Sequence, residues 1–309
     1  GNPPFFKLKA SDPRLPLYRL EAKNKNTSNI CSFFLEKSLR LAKYVALVFP
    51  KFLLNTPEFS TTRAELAQKS VDAILDFGEK GFPGILVETI AIFINNLAAP
   101  ANTKVFSLTH RLHLTQPQAY IFDPELPYWI IYRNQLFDSV CRKLDFDVFE
   151  VFRDRQLTNK LLSSSGELRV LKSRNLSDDG KEILDIPGYD SYISYAAAKP
   201  LSVFQYLDAP NVYLTPNMTY KPRMMKKPPH CVVNGSLAIL IPKGGIVPTE
   251  KQLAYFSSEE YRAFYQIARN FQTRSLNVDA CSVFFYGLLR DEAKPAPEKF
   301  DTSVQLSFF

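Results

Sequence analysis

The sequence predicts an α/β layered sheet followed by a second, α+β domain. Three observations carry this reading. Residues 30–96 alternate helical apolar spacing with short apolar runs, the pattern of a layered sheet. After Asn96 the texture changes, and from about Tyr120 the expected strands are shorter, prolines are frequent and Tyr and Phe are dense. The length of 309 residues suits two domains at a norm of about 150 residues each.

Taken in order, Phe33, Phe34, Leu35, Leu39 and Leu41 recur at near-helical spacing, with Glu36, Lys37 and Arg40 between them. This predicts an amphipathic helix. The run 44–50 (YVALVFP) then reads as a buried strand of a parallel sheet. A second helix is expected from Thr61 or Thr62 towards Ser70, with Thr62 and Glu65 spaced as a capping box. Strands follow at 71–77 and 86–94, separated by the turn-rich stretch 78–84. Residues 98–102 read as a linker. Helices are expected at 134–144 and 257–271, the second with a serine cap and acids in its first turn. Trp129 and the series Tyr189, Tyr192 and Tyr195 read as packing residues. The tail 291–299 is charged and proline-rich, hence a flexible lead-out.

Composition narrows the class. Hydrophobic residues make up 46% and charged residues 22%, which excludes disordered, collagen-like and coiled-coil chains. No apolar run approaches the roughly 18 residues of a bilayer span, so no membrane partner is expected, and no secretory signal is read at the start. Cys31, Cys141, Cys231 and Cys281 are scattered, which suggests a reduced, cytoplasmic setting. His110 and His113 form H-x-x-H without a nearby acid or cysteine, and no metal is expected. Lys and Arg total 38 against 31 Asp and Glu, a net charge of +7. That balance suits a polyanionic partner.

The most informative tetrapeptide is Asn2, Pro3, Pro4, Phe5. Consecutive prolines set φ and remove two N–H donors. The Asn2 amide oxygen and the Pro3 carbonyl can then accept both hydrogens of an exocyclic amine. The nitrogen lone pair is left free to attack a methyl group. Phe5 offers a flat face for a planar base or amide.

This motif is followed by a helix at 33–43 (FFLEKSLRLAK), a strand at 45–54 (VALVFPKFLL), the stretch 74–84 (ILDFGEKGFPG) and a strand at 87–94. In that order and spacing the sequence resembles the N6-adenine DNA methyltransferases of restriction-modification systems. The subgroup is the one whose cofactor motifs precede the catalytic motif and whose target-recognition domain follows it. In the second domain, Val232, Val233, Asn234, Gly235 and Ser236, with residues 255–271, carry a looser likeness. The resemblance implies a partial Rossmann-like methyltransferase sheet followed by an α+β target-recognition domain. Expected boundaries are 1–100 for the catalytic part, 101–292 for target recognition and 293–309 for the tail.

It also implies methyl transfer from S-adenosyl-L-methionine to N6 of a flipped adenine. Asn2 and Pro3 would orient the amine, and Phe5 would stack on the base. Phe82 matches a second aromatic wall. The family's cofactor site lies before the catalytic motif, and no G-x-G-x-x-G occurs in this sequence. The chain is therefore expected to be the carboxyl-terminal half of such an enzyme. The cofactor site would lie in a missing amino-terminal half or subunit.

Double-stranded DNA is the expected main partner. Residues 211–280 hold nine basic and four acidic residues. Within them 217–229 (NMTYKPRMMKKPP) interleaves Tyr220 and three methionines with Lys221, Arg223, Lys226 and Lys227. Cations there would meet phosphates while the flat or flexible side chains meet bases. Asn234, Thr273, Arg274 and Asn277 are candidates for base edges, and Lys172 with Arg174 form a further pair. Lys7, Lys9, Arg14, Arg19, Lys23 and Lys25 lie in a stretch expected to be a loop that could close on the backbone. The ending 305–309, from Gln305 to Phe309, resembles the peptide that docks on the bacterial sliding clamp. Packing of that tail on its own domain is the slightly preferred reading. Two other functions fit parts of the pattern: a non-catalytic DNA-specificity subunit, and a fragment of an N5-glutamine protein methyltransferase. Incubated alone with S-adenosylmethionine and duplex DNA, this chain is expected to give no transfer; transfer measured by methyl incorporation would place the cofactor site here.

Overall fold

The computed structural model describes residues 1–82, 84, 87–272 and 277–292. It is a mixed α/β structure with several sheets. The chain divides into two compact units: residues 1–134 with the segment starting at Arg269, and residues 135–268 with the segment starting at Asn277.

The first unit runs α1 (Arg14–Glu21), α2 (Ile30–Leu41), β1 (Tyr44–Pro50), α3 (Ser60–Ala67), β2 (Ser70–Gly78), β3 (Thr89–Asn95), β4 (Asn102–Ser107), β5 (Leu112–Pro117) and α4 (Gln118–Ile121). Its strands form one sheet in the order β1-β3-β2-β4-β5. β3 is antiparallel to both β1 and β2, while β2 and β4 are parallel. β1, β2 and β4 therefore point the same way and end at one edge. Thr89 marks that edge, opposite Pro50 on one side and Gly78 on the other.

α2 starts at Asn29, whose side chain accepts the Cys31 N–H at 3.2 Å; this satisfies a helix-end donor. The helix buries Phe33 and Leu35 and packs on β1, and α3 packs on β2. Val45, Leu47, Phe49, Ile74, Ile92 and Ile94 form the buried strand face.

Several expectations are corrected here. The run 44–50 is an edge strand antiparallel to β3, not a buried parallel strand. Its burial alternates, with Tyr44 and Ala46 exposed; an apolar run does not by itself define pairing direction. α3 begins at Ser60 without a side-chain cap. Thr62 instead lies inside the helix, its hydroxyl bonded to Asn24 and Ser32 at 2.9 Å. The basic stretch 6–29 contains α1, and most of its cations are engaged nearby: Lys7 with Glu58, Arg14 with Asp12, Lys23 with Glu65, and Arg19 with the Thr27 carbonyl. Residues 101–134, expected to open the second domain, continue the first sheet through β4 and β5.

The second unit runs α5 (Gln135–Lys143), β6 (Leu144–Asp145), β7 (Phe149–Phe152), β8 (Leu168–Leu171), β9 (Ser191–Ile193), α6 (Tyr195–Ala198), β10 (Tyr213–Pro216), β11 (Met225–Lys226), β12 (Cys231–Val233), β13 (Leu237–Pro242), α7 (Glu250–Tyr255), α8 (Glu259–Ala268) and β14 (Leu288–Leu289). Three small sheets result: β11-β10-β13-β7, β12-β8-β9 and β14-β6. Val170, Leu171, Val203, Leu214, Val232 and Ile239 belong to one core cluster. α5 packs on α8 with Phe137 and Phe264 stacked at 5.0 Å between ring centres. α8 ends earlier than its pattern predicts, because Asn270 and Phe271 take left-handed φ values of 51° and 53°.

Among the described residues no helix is long and apolar enough to cross a membrane. Thr273, Arg274 and the tail 293–309, with its clamp-like ending, lie outside the described residues.

Candidate active site

The 2–5 motif is strung between a strand edge and a helix start. The Gly1 nitrogen donates to the Ala46 carbonyl at 2.7 Å, and the Val48 N–H donates to the Gly1 carbonyl at 2.9 Å. Two such bonds flanking Leu47 are the pattern of a parallel bridge. The chain therefore leaves Gly1 in the direction of β1, towards the edge where β1, β2 and β4 end. At the far side, the Phe5 carbonyl accepts from the Asn29 side chain at 3.3 Å and the Phe6 carbonyl accepts the Ile30 N–H at 3.1 Å. Asn29 thus ties the motif to the start of α2.

Between these anchors Pro3 is buried, Phe5 is half-buried, and Asn2 and Pro4 are exposed. Among the described residues no hydrogen bond reaches the Asn2 side chain or the Pro3 carbonyl. Both acceptors on which the amine-binding reading rests are unengaged. Phe82 lies half-buried in the bend that follows β2, at the same edge of the sheet. A Cβ on Gly81 beside it would stand 2.2 Å from the Thr89 hydroxyl, which would have to shift.

Behind this edge is a buried ionic cluster. Lys51 directly follows β1, and its Nζ lies 2.6 Å from Asp76 Oδ2 with both side chains almost wholly enclosed. The Tyr132 hydroxyl donates to the same oxygen at 2.5 Å. Burial and the Asp76 charge push the Tyr132 hydroxyl well above its ordinary range. It therefore stays protonated and remains a donor. His110 packs edge-on to Tyr132, and Phe271 touches both rings. Burial, then the Lys51 charge, hold His110 below the ordinary imidazole value. Lys51, Asp76, Tyr132 and His110 were absent from the sequence-derived site. The signals are an acid within the otherwise apolar stretch 73–77 of one strand and a lysine immediately after another.

The expected DNA contacts separate into two groups. Arg223 and Lys227 are buried in the second unit. Arg223 donates to the carbonyls of Lys221, Ser173 and Leu176, and Lys227 to those of Leu207 and Pro228. Burial lowers the affinity of both for protons, so they act as internal staples rather than surface cations. Asn234 accepts from the backbone and hydroxyl of Ser236 in a tight turn. Asn277 accepts from Asn217 at 2.9 Å. Lys226 and Tyr220 are exposed, as is Lys221, which pairs with Asp178 at 2.6 Å. Lys172 and Arg174 both lie over the Tyr189 ring, and Lys172 also donates to the Tyr189 carbonyl.

No family model and no curated protein matches the chain. Among solved structures, the type IIL restriction-modification enzyme MmeI in complex with DNA aligns over 93% of this chain and 45% of its own, at 12% identity and a TM-score of 0.53. The ATP-dependent type ISP restriction-modification enzyme LlaBIII bound to DNA aligns over 90% and 28%, at 10% identity and a TM-score of 0.43. The M protein of the type I restriction enzyme EcoKI aligns over 35% and 24%, at 20% identity and a TM-score of 0.28. The likeness to MmeI establishes a shared fold. The chain spans less than half the length of each of these proteins.

The depressed His110 value sets a pH dependence. An unfolded imidazole titrates near 6.5, and the folded one titrates lower. Between the two values the unfolded chain binds a proton that the folded chain does not. The His110 contribution is complete above the unfolded value and is lost as pH falls below it. Melting temperatures compared at neutral and mildly acidic pH should fall more for the native chain than for His110→Phe; equal falls would show that His110 is not the group responsible.

Proposed function

We propose that this chain carries the catalytic motif and the target-recognition part of a site-specific DNA methyltransferase acting on N6 of adenine. The observation that carries the reading is the 2–5 turn. Among the described residues nothing bonds to its two oxygen acceptors, and it emerges at the edge where β1, β2 and β4 end, the usual position of ligands in α/β sheets. The fold shared with MmeI over nearly the whole chain is consistent with it.

In this reading the adenine leaves the duplex, because a paired amine cannot be approached in line with a methyl donor. Asn2 Oδ1 and the Pro3 carbonyl accept the two amine hydrogens. This orients the amine and concentrates the lone pair on nitrogen, away from the ring. Phe5 stacks on the extruded base, and Phe82 forms a second wall. S-adenosylmethionine supplies an electrophilic methyl group. The residues present do not fit that cofactor, since no G-x-G-x-x-G turn occurs to receive it. Its site is assigned to residues outside this sequence, in an amino-terminal segment or subunit. The open edge of β1, already bridged by Gly1 in the parallel sense, is where such a segment would continue the sheet.

The second unit would read the duplex. Lys221 and Lys226 are exposed cations suited to phosphates, and Tyr220 is an exposed flat side chain near them in sequence.

Two measurements test this on the complete enzyme. Asn2→Ala should lower kcat by about a hundredfold, the order seen when one oriented polar group is removed from a reacting centre, with DNA affinity unchanged. Undiminished kcat would contradict the reading. In salt titrations, Lys226→Ala should reduce the slope of log affinity against log salt by about one. Lys227→Met should leave that slope unchanged and lower thermal stability instead. The reverse pattern would mean that the recognition surface has been misplaced.

A further inference from the structure

We propose that the buried Lys51–Asp76 pair is a positioning device that clamps together the two ends of the segment carrying Phe82, and so sets where that ring stands at the sheet edge. The inference deepens the methyltransferase reading, on which the role of Phe82 rests.

The geometry is specific. At the start of the segment, Asp76 Oδ1 accepts the Gly78 N–H at 2.9 Å. Gly78 has a φ of +55°, and a Cβ there would stand 2.3 Å from the Thr109 hydroxyl. The chain therefore turns out of β2 in a conformation that the Asp76 carboxylate holds. At the end of the segment, the Lys51 N–H donates to the Glu88 carbonyl at 2.8 Å. The Lys51 ammonium then crosses to Asp76 Oδ2 at 2.6 Å. One residue holds the start, the other holds the end, and their side chains join the two. Tyr132 completes the arrangement by donating to Asp76 Oδ2, and the Leu108 N–H donates to the Asp76 carbonyl.

Energetics favour a positional role over a stabilising one. Burying two charges costs desolvation that their attraction only partly offsets. An apolar pair of similar size would serve stability as well. What an apolar pair cannot do is bind Gly78 directionally and fix the relative position of Lys51 and β2 at hydrogen-bond tolerance. Because Lys51 follows β1, and β1 carries the Gly1 bridge, the same pair places the Phe82 segment in register with the 2–5 turn.

The test uses Lys51→Met/Asp76→Asn, which leaves no buried charge unpaired, and Lys51→Gln, whose amide can still donate to Asp76. Hydrogen exchange is read on the chain itself without DNA, so it is independent of the methyltransferase reading. Exchange at the amides of residues 78–82 should quicken about tenfold in the double variant and less in Lys51→Gln, with the circular dichroism of both unchanged. Native exchange rates in both would overturn the clamp. In the complete enzyme, the double variant should lose about tenfold in kcat with KM for DNA held within about twofold, the signature of a defect in orientation rather than binding. 2-Aminopurine placed at the target position should show reduced stacking in the same variant. If exchange quickens while Phe82→Ala leaves both kcat and 2-aminopurine fluorescence at native values, the ring is not a base wall, and the positioning role falls even though the pair holds the segment.

Discussion

The pairing of β1 on both of its edges is the constraint on which the candidate site depends. One edge is hydrogen-bonded to β3 along its whole length, and the other receives Gly1. The first pairing sets the height of Pro50 and Lys51 relative to Thr89 and Gly78. The second sets the height of the 2–5 turn relative to Leu47. A one-residue slip in the β1–β3 ladder would reverse which side chains of β1 face the helices. It would bury Tyr44 and expose Val45, Leu47 and Phe49. Core packing therefore enforces the register, and the register delivers the proline turn to the sheet edge with its oxygens unengaged.

Cations are used in two different ways. Lys51, Arg63, Arg223 and Lys227 are buried, and each is bound to a carboxylate or to backbone carbonyls. In low dielectric such contacts are directional and expensive to break. They hold turns, segment ends and loops at set distances. Lys226 stands in solvent and Lys221 holds only a surface pair with Asp178; such charges contribute little to folding and are accessible to a polyanion. A net charge of +7 counts both kinds alike.

Much of the first unit was legible in the sequence. Apolar spacing located α2, β2 and β3 to within a few residues, because each buries a face whose period is visible. The loss of two donors at Pro3 and Pro4 is written in the residue type. Other features were not legible. The direction of β1 depends on its partner, and an apolar run fits either sense. Residues 101–134 look like a change of texture, yet β4 and β5 complete the first sheet through pairings that local composition does not encode. The α1 stretch reads as a charged loop because its cations find acids such as Glu58 and Glu65 far along the chain. Arg223 and Lys227 carry the same letters as a phosphate-binding pair. Only the fold shows that their partners are carbonyls, and the same holds for the meeting of Lys51 with Asp76.

The most direct measurement is a crystal structure of the complete enzyme bound to a duplex containing its target. The expected result is an extruded adenine whose N6 lies at about 3 Å from both Asn2 Oδ1 and the Pro3 carbonyl, a hydrogen-bond distance, with its ring against Phe5. An adenine amine held by other residues, with Asn2 and Pro3 facing solvent, would contradict it.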